Sequence, residues 1–187
     1  MVTLHRPSNV DDVPWLQKLL ATLSDVSSRL NVVFPVHPRT RQRLSDLDPV
    51  SARVATGAST VRRGQASGRE GELLSSRLRL LDPLPYLQFI ALQRRAALVI
   101  TDSGGIQEET TFLGVPCLTA RENTERPVTV GLGTNQLIGR DLGKLRSAIE
   151  DILQGTSGKT ATRQPDAQRI PLWDGHAAER IANIILT

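Results

Sequence analysis

The sequence predicts an α/β fold in which a doubly wound parallel sheet carries helices on both faces, in one domain over residues 1–187. Three observations predict it. Strand-like apolar runs and helical stripes alternate along the whole chain. The strand-like runs are short and apolar on both faces, as in parallel sheets covered on two sides. A chain of 187 residues, 39% hydrophobic and 22% charged, is also long enough to bury a core without covalent staples.

The elements follow in order. Val2, Thr3 and Leu4 read as a short buried strand ending at His5, Arg6 and Pro7. Residues 9–12 read as a cap region, and Pro14 suits a first helical turn. Trp15, Leu16, Leu19, Leu20 and Leu23 recur at helical spacing and make one apolar stripe. Residues 31–36 are β-branched and apolar, a second strand, with His37, Pro38 and Arg39 at its carboxyl end. A short helix is expected over about 40–47. Residues 48–76 hold four glycines set among Ser and Arg, and they read as a mobile loop insertion. Residues 78–81 make a short strand, and Pro83 and Pro85 open a helix to about Arg95. Residues 97–101 are a further apolar strand. A tight turn at Asp102, Ser103, Gly104 and Gly105 leads into a helix over 106–113, closed by Gly114. Strands over 115–119 and 135–138, an amphipathic helix over 141–153, a linker over 155–162 and a last helix over about 175–186 complete the chain.

Composition excludes several classes. The formal charge is +4. Six arginines against two glutamates between residues 52 and 79 account for that whole excess, so the remainder is balanced. Aromatic residues are only 3% of the chain, leaving few platforms for stacking bases. Nucleic acid is therefore not the expected partner. A single cysteine permits neither an internal disulfide nor a Cys-based zinc site. No apolar run approaches the ~20 residues that cross a bilayer, so no membrane partner is expected. The N-terminus lacks the basic-then-apolar layout of a signal peptide. These features favour a reducing, cytoplasmic setting.

The residues able to carry chemistry cluster where strands end. In sheets of this class ligands bind outside the carboxyl ends of the strands. That rule points to His5, His37, residues 102–105 and the segment after Thr119. The segment from Thr101 to Glu109 leaves a buried strand and enters a helix through two glycines. Glycines admit close backbone approach, and free amides at a helix start suit an anion. The alternative is a plain capped turn with Ser103 as N-cap. Glu108 and Glu109 either complement the helix dipole or supply an acceptor for a ribose diol. Adjacent helical positions point about 100° apart, so both cannot serve one ligand. His5 can donate to a phosphate or move a proton, or it can be structural. Arg121, Glu125 and Arg126 lie in a charged loop, where an arginine can fork onto a phosphate or pair with a carboxylate. Cys117 sits inside an apolar strand and reads as buried and unreactive.

Several of these segments occur together and in order: TLHRPSNVDD at the start, FPVHPRTR, LLDPLPYLQFIAL, TDSGGIQEE, LGVPCL, RENTERPVT and PLWDGHAAERI. In this combination the chain closely resembles the C-terminal half of the non-hydrolysing UDP-N-acetylglucosamine 2-epimerases. The resemblance runs from the first strand to the last helix, outside the 48–76 insertion. It implies a Rossmann-like domain corresponding to the C-terminal half of a GT-B-like two-domain fold, with the nucleotide held mainly by this half.

The resemblance also implies site roles. His5 faces the pyrophosphate and the glycosidic region, and it is the one catalytic candidate. Ser103, Gly104 and Gly105 cradle the diphosphate, Glu109 accepts from the ribose hydroxyls, and Arg126 completes the UDP site. Phe89 and the backbone near Leu84 lie by the uracil. Arg6 and His37 are candidates for contact with a second, activating nucleotide sugar. No cofactor and no metal is implied. The family's chemistry removes the C2 proton, expels UDP to leave a 2-acetamidoglucal, and adds UDP back with C2 inverted. The carboxylates that move those protons belong to an N-terminal domain that 187 residues do not accommodate beside this one. The implied partners are therefore UDP-GlcNAc or UDP, together with a separate N-terminal half or a second copy of this chain. Alternatives are the donor-binding subunit of a split UDP-sugar glycosyltransferase and a non-catalytic UDP-sugar-binding remnant. Ala177, Ile181, Ile184 and Ile185 on the last helix form an apolar face suited to such a partner.

Overall fold

The computed structural model describes residues 1–45, 77–156 and 170–186. The insertion expected over 48–76 and most of the 155–162 linker lie outside the described residues. The chain divides into two units, Met1–Phe89 and Ile90–Thr187.

In the first unit, β1 (Val2–Thr3) leads through α1 (Pro7–Val10) into α2 (Val13–Ser27). Helix α2 starts where the sequence places its cap: Asp12 Oδ1 accepts the amide of Trp15 at 3.1 Å. That satisfies one of the amides a helix start leaves without an internal partner. Its stripe is the core. Leu16, Leu19, Leu20 and Leu23 are buried with Val2, Leu4, Val10 and Phe34. Each such leucine contributes roughly 1.5–3 kcal/mol by leaving water. Strand β2 (Val32–Pro35) pairs in parallel with β3 (Leu78–Leu81), in the register Val32 to Leu78 and Pro35 to Leu81. Between them in sequence lies α3 (Pro38–Ser45), which starts two residues earlier than the spacing suggests. Thr40 Oγ1 donates to the carbonyl of Leu4 at 3.1 Å, so α3 begins beside the exit of β1. Helix α4 (Tyr86–Arg95) starts on the carbonyl of Pro85, which accepts the amides of Gln88 and Phe89, both at 3.0 Å.

In the second unit, β4 (Val99–Thr101), β5 (Cys117–Thr119) and β6 (Asn135–Leu137) form parallel pairs. All residues of β4 and β5 are buried, which accounts for their continuous apolar character. Helix α5 (Gly104–Phe112) joins β4 to β5, and the short α6 (Pro127–Gly131), which the spacing did not suggest, precedes β6. Helix α7 (Leu142–Gln154) is capped by Asp141, whose Oδ1 accepts the Lys144 amide at 3.0 Å, and it ends on Gly155 at φ +70°. Its Leu145, Ala148 and Ile149 are buried. Helix α8 (Ala177–Leu186) buries none of its residues.

The register positions the site. Thr101, Thr119 and Leu137 are level, so the three strands release their loops along one edge. Backbone bonds continue past the strands: Ala120 donates to Thr101 O at 2.8 Å, Ile138 to Thr119 O at 2.9 Å and Gly139 to Arg121 O at 3.2 Å.

Candidate functional site

The loop edge of the second unit carries residues 102–105 and 120–126. Helix α5 begins at Gly104, two residues before the start suggested by its apolar spacing, so both glycines lie in its first turn. Ser103 holds the N-cap position with extended backbone (φ −89°, ψ 131°), but its side chain caps nothing. Its own amide donates to Thr101 Oγ1 at 3.1 Å. The plain capped-turn reading is therefore only half right. The cap geometry is present, and the hydroxyl does not occupy the first-turn amides that favour an anion.

The two glycines differ. A Cβ on Gly105 would meet nothing within 4 Å. A Cβ on Gly104 would lie 2.8 Å from Glu125 Oε1. The Glu125 carboxylate thus rests over the start of α5, where the helix dipole favours negative charge. Its other oxygen lies 2.7 Å from an Arg121 nitrogen, and that arginine is only 13% exposed.

The two adjacent acids of α5 point apart, as helical geometry requires. Glu108 Oε1 lies 3.0 Å from Arg126 Nε, with both side chains partly exposed. Glu109 Oε2 accepts from Gln93 Nε2 of α4 at 2.6 Å. Gln93 is fully buried, and its Oε1 has no hydrogen-bond partner. Sequence reasoning passed over Gln93. The available signal was a polar residue four positions after Phe89, on the helix's apolar side.

A second feature escaped the sequence altogether. Gln107, Thr129 and Asn135 are fully buried. Thr124 Oγ1 donates to Gln107 Oε1 at 2.6 Å. Asn135 Nδ2 donates to the same oxygen and to Thr129 Oγ1, both at 3.0 Å. Thr119 Oγ1 donates to Asn135 Oδ1 at 2.6 Å, which orients that amide. Two segments that sequence reasoning treated separately, DSGGIQEE and RENTERP, are hydrogen-bonded to one another.

Ser103, Gly104, Gly105, Glu109 and Arg126 are therefore brought to one neighbourhood of the second unit, around α5. In the first unit, His5 is exposed just after β1, Arg6 precedes α1, and His37 is exposed just after β2. His37 Nδ1 accepts the Arg39 amide at 3.3 Å, and Arg39 and Arg43 both pair with Asp11. Those two guanidiniums hold the Asp11 carboxyl below its ordinary range. Leu84 and Phe89 are half-buried at the approach to and in the first turn of α4. Cys117 is buried, and desolvation pushes its thiol up to about 11.

Among the described residues, no group of three or more His, Cys, Asp or Glu is placed to hold a metal ion. No described helix is long and apolar enough to cross a membrane.

A family model described as UDP-N-acetylglucosamine 2-epimerase matches residues 1–186. The chain is 33% identical over 187 residues to the UDP-N-acetylglucosamine 2-epimerase of Methanococcus maripaludis, covering 99% of this chain and 43% of that protein. It is 33% identical over 186 residues to the UDP-2,3-diacetamido-2,3-dideoxy-D-glucuronate 2-epimerase of Pseudomonas aeruginosa, again covering 99% of this chain and 43% of the relative. Its fold matches the crystal structure of Methanocaldococcus jannaschii UDP-GlcNAc 2-epimerase in complex with UDP-GlcNAc and UDP. The TM-score is 0.71 at 31% identity, covering 99% of this chain and 44% of the other. The chain thus spans a little under half the length of these relatives.

Proposed function

The chain belongs to the UDP-N-acetylglucosamine 2-epimerase family, and from that premise we propose that it is the nucleotide-binding half of an enzyme interconverting UDP-GlcNAc and UDP-ManNAc. The observation that carries this reading is the α5 start. Its two-glycine first turn is not capped by the Ser103 hydroxyl, and Arg126 is paired with Glu108, about one turn along the same helix from Gly104. Aligned amides plus a guanidinium stabilise negative charge on a diphosphate, and more so as it departs.

In the reaction a base removes the C2 proton while the C1–O bond to the β-phosphate breaks. UDP leaves with the bonding pair, and a 2-acetamidoglucal remains. Re-addition of the phosphate oxygen to C1, with a proton delivered to the opposite face of C2, gives the epimer. This chain's share is the leaving group. The amides of Gly104 and Gly105, with Ser103, bind the diphosphate. Arg126 neutralises its charge, and Glu109 accepts from the ribose. The resemblance further assigns the uracil to Phe89 and the backbone near Leu84, and the pyrophosphate and glycosidic region to His5. The same residues suit any UDP-sugar, so the sugar is chosen largely by the length of the relatives that this chain does not span. The proton-moving carboxylates fall there too, and that part, supplied in the same or a separate chain, is the proposed partner. The proposed domain is one Rossmann-like unit over 1–187, in a cytoplasmic setting.

Calorimetric titration of the 187-residue chain with UDP tests the nucleotide reading. Saturable binding that is measurable in the parent and weakened about tenfold or more, but not abolished, in Arg126→Ala is the expected outcome, and no heat up to millimolar UDP rejects it. Proton NMR at the sugar C2 tests the division of labour. The chain alone should leave UDP-GlcNAc unchanged, and turnover by it alone would show that the second half is dispensable.

A further inference from the structure

We propose that Gln107, Thr124, Thr129 and Asn135 are positioning residues that clamp both peptide groups of Arg126 and so aim its guanidinium at the start of α5. The hydrogen bonds close into a ring. The Arg126 amide donates to Thr124 Oγ1 at 2.9 Å. Thr124 Oγ1 passes its single hydrogen to Gln107 Oε1 at 2.6 Å. Asn135 Nδ2 donates both to that Gln107 oxygen and to Thr129 Oγ1, each at 3.0 Å. Thr129 Oγ1 passes its hydrogen to the carbonyl of Arg126 at 2.7 Å, returning to the residue where the ring began.

The donor and acceptor accounts close as well. Each hydroxyl has one hydrogen and spends it on one partner while accepting from another. Gln107 Oε1 uses both lone pairs, and Asn135 uses both amide hydrogens. The Asn135 amide is itself oriented by Thr119 of β5. The ring therefore transmits the rigidity of β5, β6 and α5 to a loop that is otherwise exposed at Glu122, Asn123, Glu125 and Arg126. Three of its four members are fully buried, where an incomplete hydrogen-bond network is costly. The remaining Gln107 amide nitrogen has no partner, so the fold accepts an orphaned donor to keep the ring. Arg126 is also the N-cap of α6, whose start already holds its carbonyl through the Thr129 amide at 3.0 Å. Starting α6 does not require the Arg126 amide to be tied as well, whereas a guanidinium that must meet a diphosphate in one orientation does.

This inference rests on the nucleotide reading for its purpose, but the clamp can be measured without a ligand. In the full chain, hydrogen exchange followed by NMR should give an Arg126 amide at least tenfold less protected in Thr124→Val, with the Leu118 amide unchanged. Thr124→Ser should restore protection. With UDP, calorimetry should find Thr124→Val about three- to tenfold weaker and Thr124→Ser within twofold of the parent. In an Arg126→Ala background, Thr124→Val should cause no further loss. Thr129→Val acts through the carbonyl side and should repeat the pattern, which keeps the test open if Thr124→Val does not fold. An Arg126 amide equally protected in both valine variants overturns the clamp. So does a loss of UDP affinity that is the same with and without the Arg126 side chain. If the parent chain takes up no UDP, the nucleotide reading fails, and the exchange measurement still decides whether the clamp exists.

Discussion

Arg126 Nε lies 3.0 Å from Glu108 Oε1, so the guanidinium assigned to the diphosphate is paired with a carboxylate of the helix that would share the ligand. Both groups are partly exposed, so the pair is worth only about 0–1 kcal/mol. It holds Arg126 near α5 and competes for it at the same time. Glu108→Gln removes the competitor and one negative charge. UDP binding should tighten by about two- to fivefold in calorimetry at low salt, and the gain should shrink as salt rises. Unchanged or weaker binding would mean that Glu108 orients Arg126 rather than competing for it.

The two glycines of α5 should separate under alanine substitution. Gly105 has open space where a Cβ would go, and alanine is the better helix former. Gly105→Ala should leave the melting temperature level or raised while weakening UDP at least tenfold, because a methyl group would stand between the backbone and the phosphate. Gly104→Ala must first move the Glu125 carboxylate, the far end of a half-exposed side chain, so it should gain less stability than Gly105→Ala and stay within about 1 kcal/mol of the parent. Thermal melts and UDP titrations of both variants check this. Equal UDP affinity in Gly105→Ala and the parent would remove the diphosphate from this turn.

Gln93 orients Glu109 through a 2.6 Å hydrogen bond, while its own Oε1 is buried without a partner. Gln93→Met loses the first and relieves the second, and the two effects are of similar size, so stability should stay within about 1 kcal/mol. Ribose recognition should suffer instead. The preference for UDP over 2′-deoxy-UDP should fall by threefold or more, read as a ratio of dissociation constants. An unchanged ratio would detach Glu109 from the ribose.

Burial pushes the Cys117 thiol from 9.0 up to about 11, against smaller lowering contributions from the Thr110 and Thr119 hydroxyls. Between those values the unfolded chain releases the proton and the folded chain keeps it. The contribution is therefore intact below pH 9 and is lost as pH climbs toward 11, by about 2–3 kcal/mol in all. Urea unfolding from pH 8 to 11 should give a Cys117→Ala variant with a flatter alkaline limb than the parent. A thiol reagent at pH 8 should react with the parent only as it unfolds. Parallel alkaline limbs would place the loss of stability on other groups.

Much of the architecture was legible because its causes are local. Asp12 and Asp141 cap the helices that their position before an apolar stripe suggests, and Gly155 ends α7 where a left-handed residue is needed. The strands over 32–35 and 99–101 follow from β-branched apolar runs and the strand over 78–81 from a leucine-rich one, and the two-glycine entry to α5 is visible in the sequence as a candidate site. Short α6 was missed because five residues opening on a proline carry no periodicity.

What the sequence alone determined, then, is the order of the longer elements, the buried stripes and the segments that are candidates to meet a nucleotide. The tertiary structure decided which of those segments touch. Gln93 meets Glu109 at a separation of 16 residues, Thr124 meets Gln107 at 17, and Asn135 meets Gln107 at 28. Glutamine in a helix and asparagine opening a strand have ordinary local preferences and announce no partner. Their pairing depends on parallel register, which brings Thr101, Thr119 and Leu137 level and their loops together. That register is set by packing across the sheet rather than by any neighbour in the chain.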